Sequence, residues 1–336
     1  MATNTRAMPG AASGTAVRRS QGVWRDAFGR LRKNKLAMVG LVAVILLYSL
    51  AILGPSLASI VLGDRVPRGA TPYSYSDLDA VIANIATGDS QPVNAFSPLA
   101  FQTGHILGTD ELGRDLLARL LDGAQISLTV AMVVQLVVLT IGIPIGALAG
   151  WFGGRLDNLL MRLTDVMYAF PDLLLIILMS VSFRETAFGR AMNGLLLVFV
   201  AIGITSWVTV ARLVRGQLLS LKEMEFVEAA RAIGVRDRGI ITRHLLPNAI
   251  GPVIVAITLG VPGAILAEAT LAYIGVGVQA PRASWGTLIN EGVRWMRSDV
   301  HLVLFPAIAI ATALISFTFL GDGLRDALDP KLKGKQ

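Results

Sequence analysis

Three carboxylates, Asp110, Glu111 and Asp115, fall close together in the stretch HILGTDELGRDLL. Acids at this spacing are the material of general acid–base hydrolysis, one giving a proton while another activates water. The same residues also suit a helix start. Thr109 can cap, Asp110 and Glu111 favour the positive end of a first turn, and Arg114 can pair back one turn. Glu268 is the other chemically notable acid, alone in a run that is apolar from Leu245 to Pro281. A carboxylate at membrane depth either lines a path or braces helices. His105, His244 and His301 are scattered without ligand spacing, so the sequence points to no metal site. The chain has no cysteine, which excludes thiolate chemistry and disulfides. It also lacks the G-x-x-x-x-G-K-[ST] loop that cradles nucleotide phosphates.

The elements that must carry these residues are membrane helices. Of the 336 residues 54% are hydrophobic and 16% charged, against about 25% charged in soluble domains. Residues 36 to 62, 123 to 154, 191 to 211, 248 to 281 and 300 to 321 are nearly free of charge. Each is long enough to cross a hydrocarbon core as a helix of about 20 residues. A sixth span, 158 to 183, must tolerate Arg162, Asp165 and Asp172. Arg162 and Asp165 can neutralise each other three residues apart, and Pro171 is expected to break the helix. Six spans with both ends inside place 21 of the 30 basic residues in the cytoplasm, as the positive-inside bias requires. The formal charge of +7 therefore reflects membrane sidedness, and no nucleic-acid partner is implied.

Residues 1 to 20 read as a disordered cytoplasmic tail. Residues 21 to 35 form a basic amphipathic helix on the inner surface, with Trp24, Phe28 and Leu31 at helical spacing. The first span has no cleavage site and acts as an uncleaved anchor. An external loop over about 58 to 122 ends in a surface helix carrying the carboxylates, with Leu112, Leu116, Leu117, Leu120 and Leu121 on its apolar face. Gly142, Pro144 and Gly146, with Gly251, Pro252, Gly260, Pro262 and Gly263, permit close helix approach and kinks.

Between two apolar runs lies the charged stretch EFVEAARAIGVRDRGIITRHLLPNAI, residues 225 to 250. Leu219, Phe226, Ala230 and Ile233 share a face over 218 to 233, so a helix is expected there. Gly234 supplies the left-handed residue that ends it. Asp237 opens a second short helix ending near Leu246 and Pro247. Such a hairpin has no core of its own and is either a solvated loop or a docking surface.

Glu228-Ala229-Ala230, three residues, Gly234, then Leu246-Pro247 resembles the coupling loop of ABC importer permeases, with His244 where that family usually has a branched apolar residue. HILGTDELGRD, LMRLTDVMYAFPDLLL, RHLLPN, AEATLAYIGVGVQAPRASWG and GDGLRDALDP follow in the order seen in C-type subunits of dipeptide and oligopeptide permeases. The similarity covers roughly residues 22 to 332. It implies an all-α membrane protein with the six-helix type I ABC importer permease fold, a transmembrane domain over 36–322, a coupling loop at about 217–247, and a cytoplasmic tail over 323–336. It further implies a subunit of the bacterial inner membrane without ATPase activity of its own. Implied partners are a sister permease, two cytoplasmic ATPase subunits that bind ATP and Mg, an extracytoplasmic binding protein and membrane lipid. No cofactor is bound by this chain. The cargo implied is a short peptide, with nickel complexes, glutathione or oligosaccharides as alternatives. Competing classes are a proton-coupled carrier using Glu268 as its relay and an intramembrane hydrolase using the carboxylates at 110 to 115.

Overall fold

The computed structural model describes residues 23–62, 105–110, 114–279 and 282–329. The expectations for residues 1 to 20, for most of the external loop and for the last residues of the C-terminal tail lie outside these. The described residues are helical apart from turns and a single isolated bridge between Thr109 and Asp115. In order they are α1 (Val23–Lys33), α2 (Lys35–Leu62), α3 (Leu116–Phe152), α4 (Gly154–Ala169), α5 (Asp172–Phe183), α6 (Ala187–Arg190) and α7 (Leu195–Lys222). There follow α8 (Glu225–Ala232), α9 (Asp237–Gly239), a π-turn (Ile240–Leu245), α10 (Leu246–Tyr273), α11 (Trp285–Gly292) and α12 (His301–Leu328).

Among the described residues five helical runs are long and apolar enough to cross a membrane, and the pair α4 and α5, bent by 81°, makes a sixth if it is one broken span. The break is where the sequence puts it. Phe170 is extended because the ring of Pro171 disfavours helical backbone in the residue before it. The Arg162–Asp165 pairing does not occur. Asp165 reaches across to Arg212 on α7 at 2.7 Å, and Arg162 is exposed. A partner on a neighbouring helix is invisible to spacing along one helix.

The centre of the fold is α3 packed along α7. Every fourth residue of α3 in this stretch is glycine: Gly142, Gly146 and Gly150. A Cβ on Gly150 would stand 2.9 Å from the Arg215 carbonyl, and one on Gly142 would stand 3.1 Å from the Trp207 carbonyl. Absence of side chains thus lets two backbones touch, which is how helices associate where water cannot drive them together. Val130, Ala131 and Val134 of α3, with Val198, Ile202 and Val214 of α7 and Ile265 of α10, fill the adjoining core. Helix α2 lies against α12 through Gly40, which sits on the backbone of Ser316 and Leu320. Its other faces present Val39, Val42, Ile45 and Leu50 outward, as a lipid-facing helix must.

Two boundaries differ from expectation. Among the described residues no separate surface helix precedes α3. Residues 116 to 152 are one unbroken helix of 37 residues, with Leu116 buried against the core. Thr109 is not its cap: Asp115 is, accepting from the Ala118 amide at 2.7 Å. The second short helix of the charged stretch is also not separate, because α9, the π-turn and α10 form one run from Asp237 to Tyr273. Pro247 has no N–H to give an α-helical ladder, and the residues before it wind as π-helix, the Leu246 amide bonding to the Ile241 carbonyl.

Candidate functional site

The charged stretch forms an elbow between α7 and α10. Helix α7 ends at Lys222, Glu223 and Met224 leave the helical conformation, and α8 starts afresh at Glu225. This break rotates the face expected from a continuous helix. Val227 and Ala230 are buried, while Phe226 is 38% and Ile233 81% exposed. Glu228 and Ala229 also face outward, so Glu228-Ala229-Ala230 straddles the boundary between the docked and open sides. Gly234 has φ of +80°. Around it the Val235 amide bonds to the Ala230 carbonyl at 3.0 Å and the Gly234 amide to the Arg231 carbonyl at 2.9 Å. That is the paired closure of a Schellman motif. Val235 then turns back onto the core beside buried Ile240 and Leu245. Leu246 is half-buried, Pro247 exposed and His244 half-buried.

What fastens the elbow is a tryptophan that spacing did not single out. Trp151, at the end of α3 and buried, receives two cations on its ring, Arg231 of α8 at 4.8 Å and Lys222 of α7 at 5.4 Å from the centroid. Cations are held by the negative face of an indole. The Lys222 ammonium also donates to the Trp151 carbonyl at 2.6 Å, meeting an orphan acceptor at the negative end of α3. About two turns back along α7, Arg215 and Asp157 of α4 make a two-pronged pair with both distances 2.6 Å. Helices α3, α4, α7 and α8 are therefore tied into one block at this end.

Glu268 is fully buried on α10. Its Oε2 accepts from the Ser127 hydroxyl of α3 at 3.0 Å, and that hydroxyl accepts from the Trp285 amide at the start of α11 at 3.3 Å. Its Oε1 has no hydrogen-bond partner among the described residues. The carboxylate thus links α10 directly to α3 and, through the Ser127 hydroxyl, to the start of α11, and lies enclosed by this chain's own atoms.

The carboxylates at 110 to 115 are structural in their geometry. Asp110 accepts from Arg114 Nε at 2.6 Å and from Arg119 Nη1 at 2.8 Å. Arg119, 2% exposed, also donates to Glu291 of α11 at 2.5 Å, and Arg114 reaches the same Glu291 at 3.2 Å. Asp115 combines its capping bond with a 2.8 Å contact to His105 Nδ1. Asp122 of α3 holds Arg282 at 2.7 Å. Every oxygen of Asp110 and Asp115 that would have to handle a proton is engaged with a base or an amide, and Glu111 lies outside the described residues. The pairing of Asp110 with Arg114 was legible; Arg119, Glu291, Asp122 and Arg282 were not, because their partners are distant in sequence.

A long-helix bundle with one broken span and an exposed elbow between two spans has the architecture of a transport permease. The family model described as binding-protein-dependent transport system inner membrane component matches residues 142–334, and the chain belongs to this family of ABC importer permeases, multi-pass proteins of the inner membrane. The model for the N-terminal TM domain of oligopeptide transport permease C matches residues 22–92. The oligopeptide transport system permease protein OppC of Bacillus subtilis is 38% identical over 316 residues, covering 94% of this chain and 92% of that protein. The dipeptide transport system permease protein DppC of the same organism is 40% identical over 315 residues, covering 92% and 86%. The glutathione transport system permease protein GsiD of Escherichia coli is 37% identical over 314 residues, covering 93% and 91%. In fold, the chain is similar to the inward-facing MetNI methionine ABC transporter, with a TM-score of 0.50 at 20% identity, covering 64% of this chain and 96% of that one.

Proposed function

We propose that this chain forms, with a sister permease, the membrane pathway of an ATP-driven importer of dipeptides or oligopeptides, and that ATPase subunits grip it at the elbow. The observation that carries the reading is the elbow itself: Phe226, Glu228, Ala229 and Ile233 stand outward on a short helix whose other side is fixed to the bundle by Val227, Ala230 and Arg231. A push on α8 is transmitted through Trp151 and Asp157 to α3 and α4, and through the π-turn to α10. Gly234 sets the corner, and Leu246 and Pro247 carry the chain into the span. Closure of an ATPase dimer would then tilt spans as blocks, the shear and hinge motion by which packed helices switch between states. ATP and Mg would be bound by those partners and not here. An extracytoplasmic binding protein would deliver cargo, since the apolar spans offer few groups with which to recognise a peptide. Glu268 is assigned a bracing role between α3, α10 and α11.

Peptide cargo is supported by the relatives named for oligopeptide and dipeptide transport. Glutathione, itself a tripeptide derivative, is the second reading, supported by the similar GsiD. The test is reconstitution into liposomes with the sister permease, ATPases and binding protein. ATP-dependent uptake of a labelled peptide is expected only from the full set. Uptake by this chain alone, without ATP, would overturn the proposal.

A further inference from the structure

Helix α1 has a side that the transport reading leaves without a partner. Ala27 and Leu31 are buried, Leu31 against Ala37 and Ala327, and Arg30 donates to the Asp329 carbonyl at 3.3 Å, so one face is docked on the end of α12. This is the same end of the bundle as the elbow, because Gly251 early in α10 lies against Leu328. On another side Arg25, Phe28 and Arg32 recur at intervals of three and four residues, which places them in one stripe along α1, and Lys35 opens the next helix just beyond it. All four are exposed, Phe28 to 60%, and Lys33 is exposed beside them. None of these four bases forms an ion pair among the described residues. One non-helical residue, Asn34, separates α1 from α2, whose Leu36, Val39 and Val42 already face outward as lipid-exposed residues.

We propose that this stripe is a binding surface for anionic phospholipid headgroups of the cytoplasmic leaflet, with Phe28 set into the acyl boundary and Arg25, Arg32, Lys33 and Lys35 on the phosphates. The chemistry is complementary: an apolar ring among cations, continuous with a lipid-facing span, is the pattern of a helix lying in an interface. Each cation held near a negative leaflet favours it by roughly five-fold. The site would fix the height of α1, and through it the end of α12, relative to the membrane. It depends on the membrane location of the chain and not on which cargo is carried.

The test uses the reconstituted assembly, into which this cysteine-free chain brings no thiol of its own. Gly29 adjoins the stripe, and a side chain there meets nothing within 4 Å, so Gly29→Cys labelled with bimane is a silent reporter. The labelled assembly without the substitution supplies the background. Brominated phosphatidylglycerol is expected to quench the label several-fold more than brominated phosphatidylcholine at equal mole fraction. In the double variant Arg25→Gln and Arg32→Gln the preference should fall toward one, while Arg25→Lys with Arg32→Lys should keep it. Equal quenching by both lipids without those substitutions would overturn the proposal. So would no quenching by either, which would mean that another protein covers the face. Peptide uptake, measured in the same vesicles, reports on the transport reading separately.

Discussion

Substituting Gly234 isolates backbone conformation from packing. The residue has φ of +80°, and a Cβ built on it meets nothing within 4 Å. A side chain there is therefore penalised by the backbone alone, about 1 to 2 kcal/mol for the left-handed region and toward the upper end when the side chain is β-branched. That biases the corner by about five- to thirty-fold against the Schellman closure, yet is small beside the burial that holds the spans together. Gly234→Val is expected to insert and express normally while losing much of its hold on the ATPase subunits. Asparagine tolerates left-handed backbone, so Gly234→Asn should come close to the unsubstituted protein. The assay is co-purification of the ATPases with each variant, paired with peptide uptake and peptide-stimulated ATP hydrolysis in vesicles. Normal co-purification and uptake with valine would refute the argument. Equal damage from asparagine and valine would also refute it, because the cause would then be bulk against a partner and not φ.

Other substitutions test other joints. Glu228→Lys reverses a charge on the exposed side of α8 and should weaken ATPase co-purification without changing the melting temperature of the purified chain. Gly150→Val places a Cβ 2.9 Å from the Arg215 carbonyl, and overpacking of about 1–3 kcal/mol should appear as a lowered melting temperature in detergent. Arg119→Met removes a buried guanidinium shared by Asp110 and Glu291. The loss should fall below the 3–5 kcal/mol or so of a fully orphaned buried charge, since Arg114 still serves both acids, and thermal unfolding of the single variant beside Arg114→Met/Arg119→Met measures it. Glu268→Gln keeps an acceptor for Ser127 and should retain uptake with a change in stability of about 1 kcal/mol, whereas Glu268→Leu should lose more. Loss of ATP-driven uptake in the glutamine variant alone, with stability intact, would favour a proton relay.

Span positions, the break at Pro171 and the left-handed corner at Gly234 were legible in the sequence because each rests on local chemistry: apolar length, a ring clash, a missing Cβ. The glycines at 142 and 146 were legible as packing residues for the same reason. Three features were not. The turn of the elbow's buried face depended on a two-residue break at Glu223 and Met224, which carry no glycine or proline to announce it. Asp165 pairs across to Arg212 because α4 and α7 lie side by side, a relation that no spacing along α4 shows. The ion network around Asp110 joins residues as far apart as Arg119 and Glu291. Tertiary partners of this kind are chosen by packing, so no window along the chain contains both.

The uninterrupted length of α3 gives these separate joints a common consequence. At about 1.5 Å per residue, its 37 residues extend roughly 55 Å, well beyond the ~30 Å hydrocarbon core. One end carries the Asp115 cap and Arg119, tied to Asp110 and, through Glu291, to α11. The opposite end carries Trp151, on which Arg231 and Lys222 of the elbow rest. Between them Ser127 meets Glu268 of α10, and the glycine stripe meets α7. A helix held by charge at one end and by the elbow at the other is expected to move as a rod, so that a displacement of α8 would reach the ion network around Arg119 unless the helix bends. Pro144 is the one residue of α3 that removes a ladder bond, and it lies inside the glycine stripe, where α7 braces it. The ion network around Arg119 and the cations on Trp151 are thus the two ends of one long helix, and a load on the elbow, as proposed above, would be carried between them.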